Sequence, residues 1–417
     1  MSGSVAEIEL IGDELPWLKD LRQKGADAFR ISGIPTPKTE AWKYTKPNRF
    51  FSEDYVYNPH GKAEKISQDI TLPFAAYQIH FENGVLQKID ATLPEEVEIL
   101  PIIETLMFGA AEKVMIGKLV DLKAHPFAAL NTAYLNEGVF IKVAEGFKLS
   151  KPVVLVYHTT AEEQKSLYNF RNMIVLEKGA EAEIIEYYCY EGAPKSAYFN
   201  NIVNEIHINA NAFLRHEKVQ NEAFKAAHIA LNSINVSADA SYKSFCLQVG
   251  ADMARNETKV VLSREGASAQ VDGAYMMNGW ATLDTTTNIE HLVPHTTSNQ
   301  LVKGVVGGQA KGVFQGKIHI APNAVKTEGY QLHKAMLLSD DAEIDVKPEL
   351  EIFADDVKCS HGAACGQLDE EQLFYMRSRG IGENEAKQLL IDAYLNDVIA
   401  KVDDEKVKEW IKSFLMA

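Results

Sequence analysis

The chain has 417 residues, 46% of them hydrophobic and 24% charged, so it is long enough for a principal domain with one or two appendages. Its 58 acidic and 42 basic residues give it a formal net charge of −16. This charge repels nucleic-acid phosphates and anionic lipid surfaces, which argues against both as partners.

The N-terminus predicts a cytoplasmic protein. It begins MSGSVAEIELIGDELP, with early acidic residues and without the basic start and long apolar run of a secretory signal. No later stretch has the length of a membrane span. Four cysteines, at positions 189, 246, 359 and 365, are too few and too scattered for the disulfide framework of a secreted protein.

Residues 1–100 are expected to form a mixed, mostly helical N-terminal domain. A helix from Pro16 to about Phe29 is predicted by apolar residues near helical spacing: Trp17, Leu18, Leu21, Ala28 and Phe29. The GIPTPKTEAWKYT segment that follows has two prolines and predicts a turn or extended stretch. Its Trp42 and Tyr44 are expected to pack against the rest of the protein.

Residues 101–358 are expected to form a β-rich core. From about Leu130 to Leu350 the sequence consists of short runs rich in Val, Ile, Thr and Tyr, separated by Gly, Asn, Asp and Pro. Alternating apolar residues predict half-buried strands, as at Ile206, Ile208, Ala210 and Ala212. Long crossover helices are missing, which leaves a large sandwich, a propeller or a β-solenoid. Small residues at inward positions favour the solenoid.

Residues 359–417 are expected to form a C-terminal helical domain. Asp369 is a candidate N-cap for a helix that Gly380 ends, and a second helix follows from about Glu383. A third helix is predicted by the apolar stripe of Val407, Trp410, Ile411, Phe414 and Leu415. These helices are expected to pack on the core, and they also offer a surface for a partner.

The sequence lacks the common motifs of single-chain catalysis. The nearest phosphate-binding candidate, Gly312 to Ile318, has its glycines one residue too close and an isoleucine where Mg²⁺ needs Ser or Thr. No nucleophile elbow, HExxH helix or dinucleotide fingerprint is present. We therefore expect a protein that is not an enzyme and does not hydrolyse ATP itself.

Cys359 and His361 are the strongest candidates for chemistry. In an extended segment they lie on one face and offer a thiolate and an imidazole, which suit zinc, iron or an iron–sulfur cluster. Asp355 shares their parity if the strand continues without a bulge, and Cys365 is a further candidate. A closed metal site generally needs about four ligands. A site built here is thus incomplete and calls for a second chain or an exogenous ligand.

Other interpretations of these residues stay open. Cys359 and His361 are equally compatible with a buried thiol beside a hydrogen-bonded imidazole. Four other histidines lack a shared close spacing and are expected to be structural: His291, His295, His319 and His333.

Several long segments resemble SufD proteins of the SufB/SufD family. The most specific is DDVKCSHGAACGQLDEEQLFYMRSRGI, from Asp355 to Ile381. GIPTPKTEAWKYT, FAALNTAYLNEGVFIKV and the stretch from Gly312 to Ala354 resemble family segments as well, so the likeness spans nearly the whole chain. SufB proteins typically have C-E-H-E where this chain has Cys-Ser-His-Gly, so the resemblance is to SufD.

The resemblance implies a right-handed parallel β-helix between helical terminal domains. It implies a non-catalytic subunit of the SufBCD iron–sulfur cluster assembly complex, pairing with SufB through the β-helix and with the SufC ATPase through the C-terminal helices. Cys359 and His361 then lie at the SufB interface, where iron or a nascent cluster is handled. The chain alone is expected to hold no cofactor stably. The resemblance also implies reduced flavin in the complex.

Cys365 departs from the family pattern, which more often has an apolar residue there. We favour a packed thiol over a third ligand. Two alternatives from other functional classes remain: a solitary β-solenoid enzyme, and a purely structural homodimer with an inert thiol. A homodimer of the isolated chain is also compatible with the assembly role.

Overall fold

The computed structural model describes residues 8–47, 51, 55–57, 70–109, 112–160, 164–192 and 195–415. The helices are α1 (Pro16–Ser32), α2 (Ile102–Phe108), α3 (Glu112–Met115), α4 (Pro126–Ala133), α5 (Glu370–Ser378), α6 (Glu383–Ile399) and α7 (Glu405–Ser413). The strands are β1 (Val56–Tyr57), β2 (Tyr77–Glu82), β3 (Val85–Ile89), β4 (Val97–Pro101), β5 (Val139–Val143), β6 (Val153–Thr159), β7 (Ser166–Leu176), β8 (Glu181–Tyr190), β9 (Tyr198–Ile208), β10 (Phe213–Glu222), β11 (Ala226–Val236), β12 (Ser241–Gly250), β13 (Met253–Leu262), β14 (Ser268–Met277), β15 (Thr282–His291), β16 (Thr297–Val306), β17 (Lys311–Ile320), β18 (Thr327–Leu337), β19 (Glu343–Ile352) and β20 (Val357–Gln367).

The strands of the core stack into a parallel β-solenoid. Odd-numbered strands from β5 to β19 pair with one another in one sheet, and even-numbered strands from β6 to β20 pair in the other. The register is continuous from coil to coil: Phe213 pairs with Ser241, and Ser241 pairs with Ser268. The chain thus adds one strand to each sheet in every coil. This confirms the predicted β-solenoid core with helices at both ends of the chain.

One corner of each coil turns through a residue in the left-handed backbone region. These residues have φ between 54° and 76° and are Gly146, Gly179, Asn211, Asp239, Gly266, His295 and Lys326. Their N–H groups bond to the next coil, as from Asn211 to the carbonyl of Ala238 at 2.9 Å. Gly, Asn and Asp adopt this conformation most readily. The repeat is one of backbone conformation, which explains why no repeat of residue identity appears in the sequence.

The outermost strands at the N-terminal end of the solenoid are antiparallel to their neighbours. β3 pairs antiparallel with β2, through a turn at Asn83 and Gly84 with φ of 46° and 86°. β4 pairs antiparallel with β5 at the edge of the other sheet. The predicted helix is confirmed as α1, which packs on α4 so closely that a Cβ on Gly25 would lie 2.6 Å from the Ala133 nitrogen.

A buried ionic cluster holds the segment after α1 against the solenoid. Arg255 donates to an Asp284 carboxylate oxygen at 2.5 Å, and the Thr45 hydroxyl donates to the same oxygen at 2.5 Å. The Arg255 guanidinium also lies 4.4 Å from the ring centroid of Trp42. Trp42 is 4% exposed. This aromatic residue therefore docks on the core as predicted, and a buried cation holds it.

The C-terminal helices pack along the side of the solenoid. Ile391, Leu395 and Trp410 belong to one apolar cluster with outward residues of the even-numbered sheet. Lys303 pairs with Asp397 at 2.7 Å and reinforces this contact. Asp369 accepts from the N–H groups of two first-turn residues, which confirms the predicted N-cap.

The last strand continues beyond the point where the sequence suggested a domain boundary. β20 ends at Gln367 and α5 begins at Glu370, so the boundary at 358/359 lies inside the strand. Among the described residues, no helix combines the length and the apolar character needed to cross a membrane.

We predict that the buried Arg255–Asp284 pair stabilises the fold far more than an exposed pair does. Asp284→Ala leaves the guanidinium buried without this partner, so we expect the free energy of unfolding to fall by about 3–5 kcal/mol. Asp27→Ala is the control, because Asp27 pairs with an exposed Arg30 at 2.8 Å and is expected to contribute less than about 1 kcal/mol. Urea unfolding measures both, and equal losses would contradict the prediction.

We also predict a pH window for the contact of His125 with Glu257, which lie 3.3 Å apart. Burial opposes charge on both, but the opposite charges outweigh it: the pKa of His125 is raised above 6.5, and the pKa of Glu257, which also faces Arg255, is lowered from 4.5 to about 2. The contribution of His125 is complete below pH 6.5 and is lost as the pH rises through its folded value, whereas that of Glu257 is lost as the pH falls below 4.5.

Thermal unfolding from pH 6 to 8 tests the histidine half of this window. The wild type is expected to lose stability as the pH rises, and His125→Gln is expected to show a flatter profile. An identical slope in the two proteins would contradict the assignment.

Candidate functional site

The solenoid ends in a coil that no further described strand covers. β19 and β20 are the last strands of their sheets, so each presents one backbone edge without a strand partner in the described part of the chain. Most side chains of β20 are exposed, whereas those of β7 are all buried. Ile352, the last residue of β19, and Phe353, which follows it, are 40% and 60% exposed. An exposed strand edge with apolar residues is typical of a surface that pairs with another chain.

Cys359, His361 and Cys365 share the inward face of β20. Cys359 pairs in register with Gly329, and a Cβ built on Gly329 would lie 3.5 Å from the Cys359 sulfur. Alternation along the strand places the other two on the same face. The structure thus brings these three candidates to one side of one strand, as the sequence predicted for Cys359 and His361. They face the interior of the solenoid at its open end.

Asp355 occupies a different position from the other candidates. It lies in the bend before β20, since the strand begins only at Val357. The parity argument for Asp355 required a continuous strand, and the corner interrupts it. Within the described ranges, no cluster of three or more His, Cys, Asp and Glu side chains is arranged to hold a metal ion. The end coil therefore offers donors of suitable chemistry without a complete ligand set.

The thiols at the open end are predominantly protonated near neutral pH. Burial raises the pKa of Cys359, and a backbone hydrogen bond involving Gly329 offsets part of this effect. Burial also raises the pKa of Cys365. Because a metal binds the thiolate, binding at either residue releases a proton.

Behind these residues, the interior of the solenoid is unusually polar. His361 continues an inward ladder through Gln331 and Gln300, which are 3% and 1% exposed. His333 lies on the adjacent inward ladder, with Nε2 2.9 Å from the Tyr275 hydroxyl, and burial lowers its pKa to about 3. His333 was expected to be structural, and its contacts agree with that. Neither glutamine was among the candidates predicted from the sequence. Their positions in the inward–outward alternation of β16 and β18 were the signal that could have identified them.

Two chains of buried ionisable groups lie deeper in the interior. Glu186 accepts from His216 at 2.9 Å, and His216 lies 3.0 Å from the Tyr242 hydroxyl. In the second chain, Lys218 lies 2.8 Å from His228 Nε2, and the other ring nitrogen lies 2.9 Å from Glu222. Burial opposes charge on Glu186, but Lys218 and His216 lower its pKa to about 2. The carboxylate form of Glu186 is therefore favoured in this interior.

Many inward polar atoms lack a hydrogen-bond partner among the described protein atoms. They are Oε1 of Gln220, Nε2 of Gln248, Oγ1 of Thr287, Nδ1 of His333 and both amide atoms of Asn256, Gln300 and Gln331. An unsatisfied buried group costs about 1–3 kcal/mol. Ten such atoms would together cost as much as the ~5–15 kcal/mol that stabilises a typical fold. These atoms therefore require polar partners in addition to the protein groups around them.

A second surface lies on the C-terminal helices. A groove of about 320 Å³ is lined by Leu389, Asp392, Ala393, Asn396, Ile399, Lys412 and Leu415. Leu389 is 45% exposed in this groove, and Phe374 and Tyr375 on α5 are 72% and 59% exposed. Apolar side chains with a charged rim are typical of a protein-binding surface.

Two family models match consecutive parts of the chain. Residues 157–394 match the family model described as "SUF system FeS cluster assembly, SufBD core domain", and residues 7–155 match "SufBD protein N-terminal region". The chain is 30% identical to the iron-sulfur cluster assembly protein SufD of Escherichia coli over 91% of its own length and 88% of that protein. It is 27% identical to SufD of Bacillus subtilis, over 96% and 94% of the two chains. A SufBD family protein of Synechocystis is 28% identical, over 94% and 89%.

We predict that the four thiols differ in their rates of alkylation in the native protein. Cys365 is exposed and should react first, followed by half-buried Cys359. Cys189 is buried, and the accessible surface of Cys246 faces the interior between the two sheets. Burial raises the pKa of each to about 12, so both should react only after unfolding. A time course with iodoacetamide, followed by peptide mass spectrometry, measures these rates. Labelling of Cys189 or Cys246 as fast as Cys365 would contradict the prediction.

Proposed function

The chain belongs to the SufBD family of the SUF system for iron–sulfur cluster assembly, and on that premise we propose that it is a non-catalytic assembly subunit. It pairs with a SufB-type chain through the open end of the solenoid and recruits a SufC-type ATPase through its C-terminal helices. Iron or a nascent cluster is handled as cargo where the two solenoids meet. Its relatives are named as assembly proteins, which supports the non-catalytic role.

The open end is the observation that carries this proposal. β19 and β20 each offer a backbone edge to which a strand of another chain can add in the same parallel register. At the N-terminal end the outermost strands, β3 and β4, run antiparallel to their neighbours, so a strand added there would not continue the parallel register of the coils. In the isolated chain, a second copy pairs through the same edges and forms a homodimer.

The donor set at this end supports the handling of iron. Cys359 and His361 provide a sulfur and a nitrogen ligand, and Cys365 is the weaker third donor. Iron–sulfur clusters and tetrahedral metal sites generally need about four ligands. A second chain that covers the end supplies the missing donors, so metal is bound only in the assembled complex. Reduced flavin, which the resemblance implies for the complex, stays a prediction.

The groove on α6 and α7 supports recruitment of the ATPase. It lies on the side of the solenoid, away from the two edges, because these helices pack on the even-numbered sheet. A partner in the groove therefore leaves the open end free for a SufB-type chain. Both partners bind at the same time without competing for one surface.

We predict that His361→Ala permits assembly but removes iron handling. Coexpression with the SufB-type and SufC-type proteins should yield the complex at normal size, with about tenfold less iron and sulfide after anaerobic purification, because one donor is lost. Ser360→Ala is the matched control, since Ser360 is adjacent in β20 and on the opposite, outward face. Normal iron content in His361→Ala would refute the assigned role.

We predict that Leu389→Glu abolishes binding of the SufC-type ATPase. The change places a carboxylate in the apolar groove, where docking would desolvate it. Glu385→Ala, at an exposed position on the same helix, should bind like the wild type. Copurification measures both variants. Retention of the ATPase by Leu389→Glu would place the docking surface elsewhere.

A further inference from the structure

A cavity lies between the two sheets of the solenoid, remote from the open end. It leaves about 30 Å³ accessible to the centre of a water-sized sphere, whereas one buried water needs about 10–15 Å³. Gln248, Asn256 and Thr287 line it and are 1%, 4% and 2% exposed. Each has at least one polar atom without a partner among the described protein atoms. The unpaired groups come from both sheets and surround one volume.

The inward side chains also indicate that this volume is not filled by protein atoms. Cys246 faces the cavity between Lys218 and Gly273 of the neighbouring strands, yet it keeps accessible surface. Ser244 and Thr285, which also line the cavity, are half-buried in the same way. Their remaining accessible surface therefore faces the interior, and a water-sized molecule fits against it.

A polar ladder extends from this region to the open end. Gln300 borders the cavity through two apolar lining residues: Val271, its in-register partner in β14, and Val302, two residues further along β16. Gln300 pairs in register with Gln331, and Gln331 with His361. Each step spans about 4.8 Å, within reach of an amide and one bridging water. A Cβ on Gly316 would lie 1.8 Å from Gln331 Nε2. The absence of a side chain at this glycine therefore leaves room for the Gln331 amide inside the solenoid.

The charges around the cavity favour a neutral ligand. Its lining includes the titratable residues Lys218, His216 and Asp272. Glu186 and Glu222 belong to the two ionisable chains around it. His228 contacts Lys218, and burial together with this contact lowers the pKa of His228, which favours its neutral form. The carboxylates compensate the positive charge of Lys218, so the cavity offers no net attraction to an anion. Water satisfies donors and acceptors alike.

We propose that bound water fills this cavity and continues along Gln300 and Gln331 to His361. The water molecules are the missing partners of the buried amide and hydroxyl groups. The inward face of the Cys359 and His361 site is therefore hydrated from inside the solenoid. This last consequence, for an end covered by a partner chain, rests on the function proposed above.

A high-resolution crystal structure of the full chain alone tests the hydration directly. We expect ordered water within hydrogen-bond distance of Asn256, Thr287, Gln300 and Gln331. Crystals pressurised with xenon should show no xenon in the cavity, because xenon occupies dry apolar cavities. Xenon in the cavity, or amide groups that pair only with each other, would overturn the proposal.

Thr287→Val tests the same point in solution. If Thr287 donates or accepts a hydrogen bond with water, the isosteric change removes that bond and lowers the thermal midpoint by about 1–3 °C. If the cavity is dry, the change removes an unpaired hydroxyl and raises the midpoint, which would overturn the proposal. Thr282→Val, on the outward face of β15, is the matched control and should leave the midpoint unchanged.

Gln331→Leu tests the connection to the open end. Water proton relaxation dispersion on the chain alone should detect fewer long-lived buried waters than in the wild type, and an unchanged number would disprove the connection. These measurements need no partner. Their failure leaves assembly with SufB-type and SufC-type chains untouched, and a failure of assembly leaves the hydration result standing.

Discussion

Backbone pairing between successive coils is the constraint on which this structure depends. Each inner strand of the solenoid pairs its N–H and C=O groups with the strands one coil away on either side, in a register that runs from β7 to β19 and from β6 to β20. Such stacking can continue as long as further strands are available to pair with the terminal edges. At the N-terminus it stops because β3 and β4 run antiparallel. At the C-terminus the last coil keeps its free edges, and the donor residues lie there.

The same stacking decides what the interior contains. A parallel register places equivalent positions of successive strands above one another, so inward residues form ladders. Some ladders are apolar, whereas those that lead from His216 and Lys218 towards His361 and His333 carry amides and ionisable groups. Buried polar groups need complete partners, since an unsatisfied group is costly. The candidate site is therefore the outermost part of a largely polar interior, in which Val271 and Val302 each interrupt one ladder.

Buried charges fix the appendages to this frame. Arg255 and Asp284 hold the segment around Trp42 on one sheet, and Lys303 ties α6 to the other. Arg171 pairs with Glu205 at 2.6 Å, and Glu205 also accepts from the backbone of Gly117 and Leu119. These segments leave the end coil and the groove on α6 and α7 uncovered by other described parts of the chain. These two surfaces match the two classes of partner proposed.

The sequence by itself determined the β-rich class, α1, the Asp369 cap and the shared face of Cys359 and His361, because alternation, spacing and capping are local properties. It also carried the family likeness. Small inward residues favoured a solenoid over a sandwich or a propeller, and the family likeness implied one. Only the tertiary structure showed how its coils repeat, since the recurring feature is a left-handed corner occupied by Gly, Asn, Asp, His or Lys in different coils. It alone showed that Asp355 lies before the strand and that Gln300 and Gln331 stack in register with His361. Those relations depend on register between strands about thirty residues apart, and no local pattern encodes them.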